Sequence, residues 1–278
     1  MATLYLVGTP IGNMSDITYR AVETLQQADL IACEDTRVTK KLCNHYDIET
    51  PLKSYHDHNK EQETDSLIET LMQGNDVALV SDAGLPLISD PGYELVVAAR
   101  AQDIPVATIP GPNAGLTALM ASGLPSFTYT YLGFLPRKAK DKQAILAERM
   151  YEDSTLIIYE SPYRVKDTLN TIAEIDDTRR ITIARELTKK FEQVTTAAVT
   201  DLIEQLEQAI PLKGEFVILI EGAAPQVDTA WFEAMTISEH VEYYIEHDEL
   251  KPKKAIKAVA EDRNMKTGDV YDIYHEVR

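Results

Sequence analysis

Between residues 3 and about 122, hydrophobic positions fall in short unbroken runs, each followed by a loop and then by helical spacing. Thr3–Val7 runs into Gly8-Thr-Pro-Ile-Gly-Asn13. Asp16 is placed to cap a helix through about Gln27, because Ile17, Arg20, Ala21, Thr24, Leu25 and Ala28 share one helical stripe. Leu30–Cys33 stops at Glu34-Asp-Thr-Arg37, before a helix through about Tyr46 and a weak strand near Leu52–Tyr55. Lys60–Gln73 is helical, with Leu67, Ile68, Leu71 and Met72 inward and Gly74 as the stop. Val77–Val80 leads into Ser81-Asp-Ala-Gly-Leu-Pro86, Tyr93–Ala101 is helical, and Val106–Ile109 leads through Pro110-Gly-Pro112 into the helix Asn113–Ala121.

Strands alternating with helices in this way predict βαβ units and a mostly parallel sheet. The loops that follow the strands then gather at one sheet edge, where open α/β sheets bind ligands. Gly123-Leu-Pro125 marks a boundary. Beyond it come Tyr129–Gly133, a basic helix near Lys138–Met150, the strand Thr155–Tyr159 and a helix from about Arg164 to Ile175. Ile181–Arg185, a Thr/Val/Ala stretch at Val194–Val199, a helix Leu202–Ala209 and the strand Phe216–Ile220 follow, suggesting a second α/β layer with more antiparallel pairing. Pro225 opens a region of helices: Trp231–His247, Pro252–Asp262 and Thr267–His275, the last two with the lengths of a helix-turn-helix. The expected organisation is an α/β domain over residues 1–123, a second over 124–224 and a helical region over 225–278.

Composition changes this picture little. The 278 residues are 44% hydrophobic and 26% charged, ordinary globular usage that excludes disordered and fibrous classes. No apolar run reaches the roughly 20 residues of a membrane helix. The first residues read as a strand without a basic leader, so a cytoplasmic protein that does not engage a membrane is expected. Cys33 and Cys43 are too few for a disulfide framework. Charge matters more: a net −18 argues against a wholly basic nucleic-acid-binding surface. Two local basic groups stand out, Arg137, Lys138, Lys140 and Lys142, and Lys251, Lys253, Lys254 and Lys257. Each reads either as a solvated helix face or as a footprint for RNA.

The chain lacks G-x-x-x-x-G-K-[ST], G-x-S-x-G and H-E-x-x-H, which removes most support for nucleotide hydrolysis, serine nucleophiles and zincin chemistry. His56-Asp57-His58 with Glu34 and Asp35 offers metal-ligand chemistry or a polar loop; nothing else completes a ligand set, and no metal is predicted. The Ser81–Pro86 and Pro110–Ala114 loops place small or φ-restricted residues where a flat ligand can lie against backbone. They bring no basic cluster, so a small adenosine-like ligand suits them better than a polyphosphate.

One ordered series carries a resemblance: Leu6-Val-Gly-Thr-Pro-Ile-Gly-Asn13, Glu34-Asp-Thr-Arg37, Ser54-Tyr-His-Asp-His-Asn59, Ser81-Asp-Ala-Gly-Leu-Pro86, Ser89-Asp-Pro-Gly92 and Pro110-Gly-Pro-Asn-Ala114. It continues through Leu132-Gly-Phe-Leu-Pro136, Tyr159-Glu-Ser-Pro-Tyr-Arg164, Ala184-Arg-Glu-Leu-Thr-Lys189, Gly214-Glu-Phe-Val-Ile218 and Pro252-Lys-Lys-Ala-Ile-Lys257. The series resembles the tetrapyrrole-methylase superfamily, and within it the ribosomal RNA small subunit methyltransferase I family. The resemblance implies a two-domain fold with S-adenosylmethionine in a cleft between the domains, a homodimer, and methylation of a cytidine ribose 2′-oxygen in the decoding region of small-subunit ribosomal RNA. It implies cofactor contacts at Pro10, Ile11, Asp82, Ala83, Gly84, Asn113 and Ala114, and in the second half at Glu160, Ala197 and Phe216. Asn113, where a hydroxyl residue is usual, and Ala197, where a Gly-Thr-Leu run is usual, depart from the pattern.

Methyl transfer to a hydroxyl is an in-line displacement, so alignment is its first requirement and a base or polarising partner its second. Glu34, Asp35, His56 and Glu160 are the candidate bases, with no choice among them from sequence. Arg37 and Arg185 are candidate phosphate contacts by bidentate hydrogen bonding, with structural ion pairing, such as Asp35 with Arg37, the other reading. A tetrapyrrole C-methyltransferase and a non-catalytic cofactor-binding module of ribosome assembly are the competing functions.

Overall fold

The computed structural model describes residues 2–223, 232 and 234–275. The first half builds β1 (Leu4–Val7), α1 (Tyr19–Gln27), β2 (Leu30–Cys33), α2 (Thr36–His45), β3 (Leu52–Ser54), α3 (Lys60–Met72), β4 (Val77–Val80), α4 (Tyr93–Ala101), β5 (Val106–Ile109) and α5 (Ala114–Ser122). The five strands form one parallel sheet in the order β3-β2-β4-β1-β5. β4 lies inside it and all four of its residues are buried, as an unbroken apolar run covered on both faces requires. Leu25, Ile31 and Cys43 pack on one face, and Leu67, Leu71 and Leu95 on the other. Each such burial contributes about 1.5–3 kcal/mol.

The second half supplies β6 (Tyr129–Phe134), α6 (Ala139–Arg149), β7 (Thr155–Glu160), α7 (Val165–Ile175), β8 (Arg180–Arg185), β9 (Gln193–Ala198), α8 (Val199–Gln205) and β10 (Phe216–Ile220). Their sheet runs β6-β7-β10-β8-β9, parallel only between β6 and β7. One face packs against α6, α7 and α8 through Leu146, Leu169 and Leu202. The other receives α5 through Ala118 and Leu119, against Ile157, Val217 and Leu219. α5 therefore couples the two sheets, and both belong to one compact unit, residues 1–223.

The second unit, residues 224–278, contains α9 (Ile237–Glu246), α10 (Pro252–Asp262) and α11 (Thr267–Tyr274) around Val241, Ala255, Ile256, Val259 and Val270.

Three element starts differ from the sequence reading. Met14–Asp16 is a short 3-10 turn, and α1 begins after Thr18, whose side chain accepts from Ala21 N. α8 begins at Val199 rather than Leu202. The helix expected from Trp231 begins at Ile237, where Thr236 and Glu239 form a reciprocal capping box; Trp231 lies outside the described residues.

Candidate active site

Strand order explains the site. β4, β1 and β5 are neighbours, so the loops leaving their C-terminal ends meet although they are far apart in sequence. Thr9 N donates to Gly84 O (2.8 Å), and Gly84 N donates back to Thr9 O (3.2 Å). A Cβ on Gly8 would stand 2.7 Å from Gly111 Cα; only two glycines let these backbones touch. The turns thus converge as one wall.

Against that wall lies a cavity of about 420 Å³, within the usual range for small-molecule sites. Ile11, Asp82, Ala83, Gly84, Asn113 and Ala114 line it from the first half, and Tyr159, Glu160, Phe216 and Val217 from the second. Asn113 caps α5, its Oδ1 accepting from Leu116 N at 2.9 Å, so the positive end of the helix dipole lies at the cavity. Apolar walls beside the Asp82 and Asp90 carboxylates can take flat rings and a positively charged group.

Of the residues assigned to the cofactor by resemblance, Ile11, Asp82, Ala83, Gly84, Asn113, Ala114, Glu160 and Phe216 line this cavity. Pro10 instead lines a smaller adjoining one of about 230 Å³, which shares Ile11, Asp82 and Ala83. Ala197 lines neither. In β9 it pairs with Ile181 and packs into the α6–α8 core, because strand alternation sends it to the sheet face opposite Val194.

The candidate bases separate clearly. Asp35 caps α2 and binds Arg37 at 2.6 Å; hydrogen bonds from Arg37 hold its carboxyl down to about 2, which makes it a weak base. Glu160 has a fully buried carboxylate. Its Oε2 accepts from Thr168 Oγ1 (2.8 Å) and its Oε1 from Ser161 N (2.9 Å), with Arg164 Nε at 3.4 Å. These partners give Glu160 a structural role alongside its place in the cavity wall. Glu34 and His56 line neither cavity. Burial, then the nearby Asp82 and Asp57, raise the Glu34 carboxyl. His56 packs edge-on against His58, with ring centroids 5.9 Å apart.

Two basic candidates also change role. Arg185 is buried and donates to Lys213 O (2.7 Å) and Phe191 O (3.2 Å), so it is not available to a phosphate. Lys142 is buried with Nζ 3.5 Å from Thr168 Oγ1; only Arg137, Lys138 and Lys140 of its group are exposed. Lys251, Lys253, Lys254 and Lys257 are all exposed around α10. Arg37 is exposed but tied to Asp35. Among the described residues, no group of three or more His, Cys, Asp or Glu is arranged to hold a metal ion.

The sequence reading passed over Asp90, Phe134 and Tyr159, all in the cavity wall. Asp90 stood in the quoted Ser89-Asp-Pro-Gly92 segment and Tyr159 began another; their separation in sequence gave no sign that they share a cavity. Burial first, then Glu34, raise the Asp90 carboxyl to about 6.

A family model for tetrapyrrole (corrin/porphyrin) methylases matches residues 3–203. The chain is 49% identical over 276 residues to a protein of Halalkalibacterium halodurans named ribosomal RNA small subunit methyltransferase I, covering 99% of this chain and 95% of that one. A protein of the same name from Escherichia coli O157:H7 is 43% identical over 270 residues, covering 96% and 93%. Among solved structures, the methyltransferase CobJ superposes with a TM-score of 0.61 at 18% identity, over 81% of this chain and 95% of that one. The uroporphyrin-III-C-methyltransferase of Thermus thermophilus gives 0.56 at 20% identity, over 79% and 94%. These two likenesses establish the fold alone.

Proposed function

The chain belongs to the ribosomal RNA small subunit methyltransferase I family of the tetrapyrrole methylases, and from that membership we propose that it methylates small-subunit ribosomal RNA using S-adenosylmethionine. The acceptor in this reading is a cytidine ribose 2′-hydroxyl of the decoding region. The observation that carries it is the cavity between the two sheets, walled by the converging Thr9, Gly84 and Asn113 loops on one side and by Tyr159 and Phe216 on the other.

When bound, the donor supplies an activated methyl on a positively charged sulfur. This chain supplies the rest. Ile11, Ala114, Phe216 and Val217 give apolar walls that exclude water, Asp82 and Asp90 give negative charge, and the N-terminal end of α5 presents the positive pole of its dipole to a carboxylate. Asp82 Oδ1 also accepts from Asp35 N at 3.0 Å, so the loop after β2 is tied to the loop after β4. A rigid frame of this kind holds acceptor oxygen, methyl carbon and sulfur in line.

The carboxylates that face one another around the site, Glu34, Asp57, Asp82 and Asp90, repel phosphate. RNA is therefore gripped elsewhere, by Arg137, Lys138 and Lys140 and by the exposed lysines of α10. The molecule works as a homodimer in this reading. Leu116 and Met120 lie one turn apart on α5 and are 41% and 87% exposed, and Phe127 is 99% exposed, an apolar surface that a second copy covers. The site of action is the cytoplasm, where ribosomal subunits are.

Incubating the protein with methyl-labelled donor and small subunits lacking the modification should label one cytidine ribose. Blocking the 2′-oxygen prevents its attack on the adjacent phosphodiester, so alkaline hydrolysis should skip that position. Label on a base, or on a tetrapyrrole offered in place of RNA, would overturn the reading.

A further inference from the structure

The smaller cavity, of about 230 Å³, shares Ile11, Asp82, Ala83 and Glu215 with the larger one. Its other side comes from the loop after β1 and from α2, where Pro10, Met14, Val38 and Leu42 give it apolar faces. Met14 and Val38 are each 37% exposed, so these faces stand open to a ligand instead of closing as core.

Two charged side chains from the second half close this cavity. Lys189 Nζ lies 2.8 Å from Glu215 Oε2 and 3.0 Å from Glu186 Oε1. The lysine side chain is 26% exposed and that of Glu215 72%, so the ammonium is fixed while the outer carboxylate is free to turn. Glu186 and Thr188 have φ of +52° and +64°, a left-handed conformation that is rare for a β-branched residue. Glu186 N donates to Glu215 O, and Glu215 N donates back to Glu186 Oε1, both at 3.0 Å. Asn13 N donates to Thr188 Oγ1 at 3.1 Å, which clasps the strained turn to the loop after β1. A Cβ on Gly12 would stand 2.6 Å from Lys189 Cγ, so glycine lets the lysine stem lie across that loop. Strain held by this many ties is a mark of functional sites.

We propose that the smaller cavity receives the acceptor nucleotide, and that Lys189 and Glu215 read its ring as cytosine. The inference rests on the methyltransferase reading above and names the part of the site that takes the RNA. The target ribose lies at the wall shared with the donor cavity, and the ring lies against the apolar surfaces of Met14 and Val38.

The pairing edge of cytosine carries an amino donor beside the N3 acceptor. A carboxylate beside an ammonium offers the matching acceptor and donor: Glu215 accepts from the amino group, and Lys189 donates to N3. The exposed Lys189–Glu215 contact is weak enough to open, and Glu186 keeps the ammonium paired as it does. Uracil reverses both groups, so its O4 meets the carboxylate and its N3–H meets the ammonium. Both mismatches leave polar groups unsatisfied. Size agrees, because a cavity of about 230 Å³ suits a single ring better than a four-ring macrocycle. Charge agrees too. Lys41 is exposed, lies one turn from Val38 on α2 and has no ion-pair partner among the described residues, so it can meet the phosphate of this one nucleotide.

The test is single-turnover transfer from saturating labelled donor to small subunits lacking the modification, reconstituted with either cytidine or uridine at the acceptor position. Calorimetric donor binding by the full-length protein is measured beside each assay. Wild type should favour cytidine by about 10- to 100-fold. Glu215→Gln should narrow that preference to about threefold or less, chiefly by gaining uridine, because an amide can donate to O4. The preference is a ratio at saturating donor, so any weaker hold on the donor cancels between the two substrates. Lys189→Met should slow cytidine transfer about tenfold and narrow the preference as well. Val38→Trp, which fills the cavity from α2, should slow transfer to either acceptor by about tenfold or more. Its donor Kd should change by less than about threefold, since Val38 lines only the smaller cavity. Donor binding by each variant shows that it is folded.

A Val38→Trp protein that transfers at the wild-type rate would overturn the proposal, since the cavity would then take no part in the reaction. So would a Glu215→Gln protein that keeps the wild-type preference, or a wild type that methylates uridine as fast as cytidine. Failure of the methyltransferase reading looks different: wild type would bind donor yet label neither RNA.

Discussion

Asp35 and Asp90 are the same side chain in opposite states. Arg37 holds the first near 2, whereas burial lifts the second to about 6. The lift has a stability consequence. In the unfolded chain Asp90 titrates near 3.8, so between about 4 and 6 the folded protein binds the extra proton. Stability therefore falls as pH rises through that window and stays lower above it. A shift of about two units corresponds to roughly 3 kcal/mol, reduced by partial exposure and solvent screening to about 1–2 kcal/mol. Asp90→Asn should accordingly raise the melting temperature at pH 8 and lose that advantage by pH 4; thermal unfolding at the two values checks it, and an equal gap at both would contradict it. Stabilisation on its removal is what a carboxylate kept for the site rather than for the fold predicts. None of this was legible locally. Sequence reading singled out Asp35, whose capping position is a local pattern, and passed over Asp90, whose burial depends on β6 and β7 arriving from the other half of the chain.

At the scale of elements, the parallel sheet and its loops were legible because each strand is a short apolar run ending in a turn, and each helix carries its own stripe. Helix starts were less so. The apolar and aromatic spacing upstream of Thr236 imitates a longer helix, although Thr236-Ile-Ser-Glu239 has the form of a capping box and does start α9. Glu160, expected at the cofactor and as a candidate base, and Lys142, expected at RNA, also have a packing role that the sequence did not show. Polar residues in motifs suggest function, yet β7 and α7 place Glu160 against Thr168, and α6 brings Lys142 Nζ to the same hydroxyl. That small polar core ties α6 and α7 to β7. Thr168→Val keeps the shape but leaves Glu160 Oε2 without its donor. The expected cost is about 1–3 kcal/mol in urea-induced unfolding, with donor affinity in the folded protein little changed. A neutral result would mean that the carboxylate finds another donor.

For the whole molecule the governing quantity is the net −18, which opposes an RNA partner at long range. Salt limits that repulsion to about 8 Å at physiological ionic strength, so the local arrangement of charge decides. Exposed Lys251, Lys253, Lys254 and Lys257 lie within seven residues of the second unit, and among the described residues only Lys257 is paired, to Glu261 at 3.5 Å. α10 buries Ala255, Ile256 and Val259 in the core of that unit, so its lysines can be changed without disturbing the packing. If they meet phosphates, each contact should contribute about −0.7 to −0.9 to the slope of log affinity against log salt. Reversing Lys253, Lys254 and Lys257 to glutamate should then weaken binding to small-subunit RNA at least tenfold and flatten the salt slope by about two to three. Donor affinity should be unchanged, because none of the three lines the cavity. If binding and salt slope both match wild type, α10 is only a solvated face, and the grip on RNA must be sought at Arg137, Lys138 and Lys140, where the same measurement applies.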